Sequence, residues 1–302
     1  MKVALFHNPG AGKAMLKGRK LVRQLEYAGH QVLYVSIKGR DWQRVFGESI
    51  ERAIIAGGDG TLSRLAPWLA GRNIPFCILP LGTANNCARS LDQMHPVEKM
   101  LSRLHSAPVR KLDLGIVTSS DGHRTFVESA GIGLLAMFMS EMRLLEKKKN
   151  SRMRLSPQKR LAEALKYLGR LTKGFSGAQC ELLLDDEIVA GDFLLLEISN
   201  MRFVGPNLGL VPNADPGDGH FDVIWVEVDR HQEWREYLKA RRRGEEAEAP
   251  VKTRRCQRVV FRRVDVPVHV DGKVFLTMAT PISVRIQPEV LEVLDFSSEG
   301  LK

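Results

Sequence analysis

The sequence predicts an α/β protein in two parts: a parallel sheet wrapped by helices, then an antiparallel β-sandwich carrying a helical insertion. Three observations predict it. Apolar runs of strand length alternate with amphipathic stretches of helix length up to about residue 91, the pattern of parallel strands joined by helical crossovers. Beyond about residue 110 short β-rich runs dominate, as in antiparallel sandwiches and barrels. Residues 134–173 read as helix, with Leu161, Ala164, Leu165 and Leu168 forming an apolar stripe at helical spacing.

In chain order, KVALF (2–6) is a buried strand ending at HNPGAGK, and 14–28 a helix. QVLYVS (31–36) is the second strand, followed by a helix over 42–50. RAIIA (52–56) is the third, running into Gly57–Gly60 and a helix from about Ser63. FCILPL (76–81) is the fourth, ending at GTANN with a helix through about Leu91. The periodicity breaks at APVRK, which places a domain boundary near 108–111. The β-rich runs are 112–118, 124–130, 180–184, 188–198, 221–228, 258–270 and 274–286. In VDVPVHVDG, Val264, Val266, Val268 and Val270 share one face, and Asp265, His269 and Asp271 the other.

Composition bounds the partners. With 302 residues, 44% hydrophobic and 26% charged, the chain has material for two ordinary globular cores. A net charge of +10 points to an anionic partner: a nucleotide, an anionic membrane surface or nucleic acid. With 7% aromatic residues and no recognised binding motif, nucleic acid is set aside. Cys77, Cys87, Cys180 and Cys256 lack zinc or redox spacing and fit a reducing compartment. The apolar run at the N-terminus is too short for a signal core, and Ala130 to Met139 is too short to span a bilayer. The expectation is a cytoplasmic protein whose membrane contact is peripheral.

Segments 8–13, 57–61 and 82–86 each follow a strand, on the sheet edge where α/β proteins bind ligands. HNPGAGKA is not a P-loop: His7 stands where its first glycine belongs, and Ala14 follows Lys13. GGDGTLS is not the dinucleotide fingerprint, since Ser63 holds the third glycine position. The physical ingredients remain. Consecutive glycines let backbone N–H groups converge on an anion, and the next helix offers its positive end. Thr61 adds a hydroxyl and Lys13 a point charge. One such loop reads as a turn; three on one edge point to a polyphosphate.

GGDGT (57–61), PLGTANNCAR (80–89) and NPGAG (8–12), followed by VESAGIG (127–133), VPNADPGDGHFDV (211–223) and VDGK (270–273), resemble the diacylglycerol kinase catalytic-domain family. That family includes sphingosine kinases and bacterial lipid kinases. The resemblance implies a nucleotide domain like that of phosphofructokinases and NAD kinases over 1–110 and a β-rich lipid-substrate domain over 111–287. It also implies a C-terminal tail, about 288–302, returning to the first domain, and a cleft between the two. It places ATP on Asn8, Pro9, Gly10, Ala11, Gly12 and Lys13, and on Gly57, Gly58, Asp59, Gly60, Thr61, Leu62 and Ser63. Thr83, Asn85 and Ser36, at the end of the second strand, complete that set. Asp59 would organise the glycine loop and the catalytic magnesium. Asp218, with Asp215 and the His220 backbone, would hold a structural Mg2+; without the resemblance, DPGDG reads as a surface turn.

The implied reaction is ATP-dependent transfer of the γ-phosphate to the hydroxyl of a diacylglycerol-like or sphingoid lipid. Two positions depart from the family's pattern. Lys273 stands where many members carry a Glu assigned as proton acceptor, and a cation cannot take that proton unless its pKa falls far. The role then passes to Asp271 or Asp59. Asn86 replaces the family's usual Asp, and an amide cannot neutralise a metal. Two alternatives stay open: an active lipid kinase, and a nucleotide- or lipid-binding member without turnover. The downstream segments argue against a soluble acceptor such as NAD.

The basic runs EKKKNSRMR (146–154), KARRR (239–243) and KTRR (252–255) read as solvated faces or as contacts to anionic headgroups, worth about 1 kcal/mol per basic residue near the surface. Any assembly is expected to be a homodimer.

Overall fold

The computed structural model describes residues 1–11, 18–148, 155–264, 266–276 and 280–297. The first part contains β1 (Lys2–His7), α1 (Gly18–Tyr27), β2 (Gln31–Ser36), β3 (Arg52–Gly57), α2 (Asp59–Leu69), β4 (Phe76–Pro80), α3 (Asn86–Ser90) and α4 (Val97–Ser102). The strands run parallel in the order β2-β1-β3-β4. Because β1 is flanked by β2 on one side and β3 on the other, the chain reverses its winding between β1 and β3. Open α/β sheets bind ligands at that reversal, beyond the strand C-termini. His7 of β1 lies opposite Ala56 of β3, so Asn8 and Gly57 stand at the mouth of this crevice.

Alternate residues of the strands feed two cores. Ala4, Phe6, Ala53 and Ile55 pack with Leu62, Leu65 and Leu69 of α2. Val3, Leu5, Ile54 and Leu79 pack with Leu21 and Leu25 of α1. Burial on both faces explains the continuous apolar runs of these strands.

The second part contains β5 (Val109–Ser119), β6 (Gly122–Phe126), β7 (Ser129–Gly133), α5 (Leu134–Lys148), α6 (Pro157–Gly174), β8 (Ala178–Leu184) and β9 (Glu187–Ser199). Then follow β10 (Phe203–Val204), β11 (Leu208–Gly209), β12 (Phe221–Glu227), α7 (His231–Arg243), β13 (Lys252–Cys256), β14 (Arg258–Val264), β15 (Val268–Val270), β16 (Lys273–Phe275) and β17 (Ile282–Leu294). Its pairings are antiparallel, so the whole is an α/β fold with a parallel sheet at its N-terminus and an antiparallel β-rich part after it. β17 pairs antiparallel with β5 and β14, and Val293 pairs in parallel with Phe76 of β4. Gln93, fully buried, secures this seam: its Oε1 accepts the Ile78 N–H (2.6 Å) and its Nε2 donates to the Leu294 carbonyl (2.8 Å).

Several elements differ from the sequence expectation. The stretch 42–50 holds a 3₁₀ helix over Trp42–Gly47. Helix α2 starts at Asp59 and not near Ser63, because Gly58 is its N-cap and the glycine segment is its first turn. The run 258–270 is two strands, β14 and β15, separated at Pro267, which has no N–H to give a ladder. The run 274–286 is β16 and then β17, which continues to Leu294. His269 is fully buried, with Nε2 2.8 and 2.9 Å from the two oxygens of Glu197 on β9. The helical stripe divides: Leu165 and Leu168 pack against Trp234, Tyr237 and Leu238 of α7.

Candidate active site

Three loops meet beyond β1, β3 and β4. Asn8 ties the first to the second: its Oδ1 accepts the Gly10 N–H (3.0 Å) and its Nδ2 donates to Thr61 Oγ1 (3.3 Å). The first turn of α2 presents its positive dipole end here. Asn85 ties the third loop in a left-handed conformation (φ 53°), its Oδ1 accepting the Gly82 N–H at 2.8 Å. Glycine is required where the loops cross. A Cβ on Gly57 would lie 2.3 Å from Thr61 Oγ1, and one on Gly58 2.8 Å from the Gly82 Cα.

The expected nucleotide residues therefore divide. Asn8, Pro9, Gly10 and Ala11 form an accessible rim, with Ser36 beside His7 at the end of β2. Gly60 and Thr83 line a pocket. Thr61 and Asn85 are buried and serve the loops themselves, and Leu62 belongs to the core. Gly12 and Lys13 lie outside the described residues. The sequence reading missed Lys38, whose Nζ lies 2.8 Å from the place a Cβ on Gly10 would take.

An acidic cluster sits below the loops. Asp59 accepts the Cys87 N–H on Oδ1 (2.9 Å). Asp271, at φ 45° just after β15, accepts the Val127 N–H on Oδ2 (2.9 Å) and those of Glu128 and Ser129 on Oδ1 (2.9 and 3.3 Å); the Ser63 hydroxyl also bonds to it. Glu128, overlooked in the sequence, is the third acid: its Oε1 accepts from Asn86 Nδ2 (2.9 Å) and the Gly205 N–H (3.0 Å). Burial raises the pKa of Asp59 and of Asp271, against the pull of their backbone N–H partners. Burial, then the charges of Asp59 and Asp271, hold Glu128 well above the usual carboxylate range. Burial and the same three acids push the Cys87 thiol well up, so it stays protonated.

Asp59 offers its carboxylate to a hard divalent cation: among the described residues no Lys or Arg lines the pocket, and the buried Asn86 Oδ1 has no hydrogen-bond partner. Lys273 does not enter the pocket; the residue is exposed on β16, opposite Val270.

The pocket has a volume of about 270 Å³ and two chemical ends. Asp59, Asn86, Glu128 and Asp271 form one; Phe138 and Met139 of α5, Leu161 and Ala164 of α6, and Pro206 form the other. Leu161 of the helical stripe lines the pocket with Ala164, which also packs against the core that Leu165 and Leu168 share with α7.

The segment 215–220 is organised differently. Asp215 Oδ1 accepts the Gly217 N–H (3.1 Å), and Asp218 Oδ1 the His220 N–H (3.0 Å). Asp218 Oδ2 is 2.6 Å from Arg255, and His220 Nδ1 is 2.9 Å from the Asp218 carbonyl. A magnesium ion on Asp218 would first have to displace Arg255, so the residues as arranged do not fit one. Asp113, also overlooked, is fully buried and pins this loop by accepting the N–H groups of Gly219 and Glu289 (2.8 Å each).

Residues 2–117 match the diacylglycerol kinase catalytic domain, and residues 146–295 the YegS C-terminal NAD kinase beta sandwich-like domain. The chain belongs to the diacylglycerol kinase family. It is 26% identical over 305 aligned positions to a diacylglycerol kinase of Mycobacterium tuberculosis, covering 97% of this chain and 94% of the relative. A diacylglycerol kinase of Staphylococcus saprophyticus is 26% identical over 289 positions, covering 90% and 88%. The fold matches a diacylglycerol kinase structure from Bacillus anthracis with a TM-score of 0.70 at 18% identity, over 99% and 98% of the two chains. An NAD kinase of Archaeoglobus fulgidus in complex with ATP matches with a TM-score of 0.50 at 12% identity, over 98% and 94%. Among the described residues of this diacylglycerol kinase relative, no helix is long and apolar enough to cross a membrane.

Proposed function

We propose that the protein is an ATP-dependent lipid kinase that transfers the γ-phosphate to the hydroxyl of a diacylglycerol-like or sphingoid lipid. The observation that carries this is the pocket with two ends. Gly60 and Thr83 of the glycine loops and the three acids meet, within one 270 Å³ space, an apolar end built by the helical insertion. A soluble polar acceptor has no use for Phe138, Met139 and Leu161 at that place.

Phosphoryl transfer asks the protein chiefly for positioning and charge stabilisation. Asn8 to Ala11, Gly57 to Gly60 and Thr83 line the edge where α2 begins with its positive dipole end, and they receive the triphosphate. Asp59, at the first turn of α2, would hold magnesium there. Bound, that ion draws charge off the transferred group. The apolar end receives the lipid next to its hydroxyl, while the chains extend outward to the bilayer. A carboxylate of the cluster takes the hydroxyl proton.

Approach to an anionic surface is supported by a groove between α6 and α7, where Lys166, Arg170, Lys173, Arg235 and Arg242 stand over Leu165 and Leu238. The run at 252–255 contributes less, since Lys252, Arg254 and Arg255 are engaged by Glu227, Glu187 and Asp218. The run at 146–154 lies outside the described side chains. Lys273 lies outside the pocket and leaves its acids intact, which favours the active reading over a member without turnover.

The test is incubation with labelled ATP, Mg2+ and a panel of diacylglycerols, sphingoid bases and soluble alcohols. Label is expected on a diacylglycerol or sphingoid base. Nucleotide binding with no transfer to any lipid would sink the proposal.

A further inference from the structure

The three carboxylates of the pocket are not equivalent. Asp271 accepts on both oxygens, from the backbone N–H groups of Val127, Glu128 and Ser129 and from the Ser63 hydroxyl. It is bound to the strand it holds. Asp59 stands in the first turn of α2 on the phosphate side, fixed by the Cys87 N–H. Glu128 is held through one oxygen alone: Asn86 Nδ2 and the Gly205 N–H both bond to Oε1. Among the described residues nothing donates to Oε2. The half-buried Glu128 side chain lines the pocket between the acids and the apolar end.

We propose that Glu128 is the proton acceptor of the transfer, and that Asn86 and Gly205 hold it ready by its other oxygen. This rests on the lipid-kinase reading above. As the acceptor hydroxyl oxygen bonds to the γ-phosphorus, its proton passes to Glu128 Oε2. The bond from phosphorus to the β–γ bridging oxygen breaks, and its electron pair leaves with ADP. Asp271 then acts as a positioning residue: it fixes the backbone of residues 127–129 from which Glu128 reaches in. Asn86 serves as the donor that orients the acid.

The experiment uses the full chain and the lipid that accepts label. Glu128→Gln keeps the shape and the Oε1 acceptor but removes the basic oxygen. Turnover is expected to fall by about 10²–10⁴-fold, the usual range for general acid–base groups, with the ATP-induced rise in melting temperature retained. Glu128→Ala is expected to regain turnover in added formate, which supplies a carboxylate; a purely structural role would not respond. That rescue decides the matter should the Gln variant lose its cooperative melting. A folded Glu128→Gln variant with unaltered turnover, or an Ala variant deaf to formate, overturns the inference while the kinase reading stands. An unaltered protein that phosphorylates no lipid overturns both.

Discussion

Gly58 and Gly82 meet backbone to backbone: a Cβ on either would lie 2.8 Å from the other's Cα. The contact joins the loop after β3 to the loop after β4, so two of the three phosphate-side segments share one van der Waals surface. Gly82→Ala also drives its methyl to 2.6 Å from Asn85 Oδ1, the atom that accepts the Gly82 N–H. Overpacking of this kind costs about 1–3 kcal/mol. The variant is expected to melt lower and to lose its stabilisation by ATP. Gly47→Ala is the control, since its methyl meets nothing within 4 Å, its φ is not positive and it does not line the pocket. Thermal melts with and without nucleotide check both; a Gly82→Ala variant with normal ATP response would separate the loop contact from nucleotide binding.

Asp271→Asn asks what the triple N–H contact contributes. Asn tolerates the positive φ of 45° at this position, so the backbone is not strained by the change. The amide, however, offers one acceptor where the carboxylate offers two, and turns an NH2 toward backbone donors. Leaving such donors unpaired costs about 1–3 kcal/mol. Urea unfolding is expected to show that loss, and turnover should fall because residues 127–129 are released. Unchanged unfolding midpoints would show the three bonds to be dispensable.

Because burial raises their pKa values, the acids of the pocket are expected to cost the free protein stability at neutral pH. Glu128 is faced by Asp59 from α2, by Asp271 after β15 and by Asn86 and Cys87 from α3. Burial, then Asp59 and Asp271, raise its pKa well above the ordinary value. The folded chain therefore binds that proton more tightly than the unfolded chain does. The stability it contributes is full below the unfolded Glu pKa, about 4.3, and is lost as pH rises through the folded value. Glu128→Gln carries no charge at any pH. Without ATP or Mg2+ it is expected to melt above the unaltered protein near neutrality, the gap closing as pH falls toward the unfolded value. A gap independent of pH would show that the charge at 128 carries no cost.

Much of this was legible in the sequence because it is local. The strands β1, β3 and β4 announce themselves as apolar runs buried on both faces, and each is followed by the glycines that its loop requires. The start of α2 was not legible: glycine fits a loop and an N-cap equally, and only the packing of Leu62 and Leu65 into the core decides. Helix α7 hid its stripe of Trp234, Tyr237 and Leu238 among charges, though the i, i+3, i+4 spacing was there. Pro267 inside a run of valines was a visible warning that the strand ends. Glu128 was beyond reach for a different reason. Its partners Asn86 and Gly205 are 42 and 77 positions away, so its place in the site comes from tertiary contacts alone. The one local hint is a single acid set directly before the small-residue strand SAGIG.

Arg255 holds the Asp218 oxygen that a divalent cation would need. The guanidinium sits 2.6 Å from Asp218 Oδ2, while Oδ1 is committed to the His220 N–H. Asp215 gives one oxygen to the Gly217 N–H, and Asp113 holds the far side of the loop through Gly219. The turn is thus already closed by its own hydrogen bonds and by a cation the chain supplies. Magnesium titrated into the unaltered protein is expected to leave this loop's stability nearly unchanged. Arg255→Ala frees the carboxylate oxygen, and hard oxygen donors in a turn are what Mg2+ and Ca2+ seek. Its melting temperature should therefore be lower in chelator and recover on adding either ion, whereas an Asp218→Asn, Arg255→Ala pair should not recover. Comparing the three proteins with Asp59→Asn as a common background removes any contribution from the pocket. An equal response to Mg2+ with and without Arg255 would mean that the ion bypasses Asp218, and that the arginine is no rival to it.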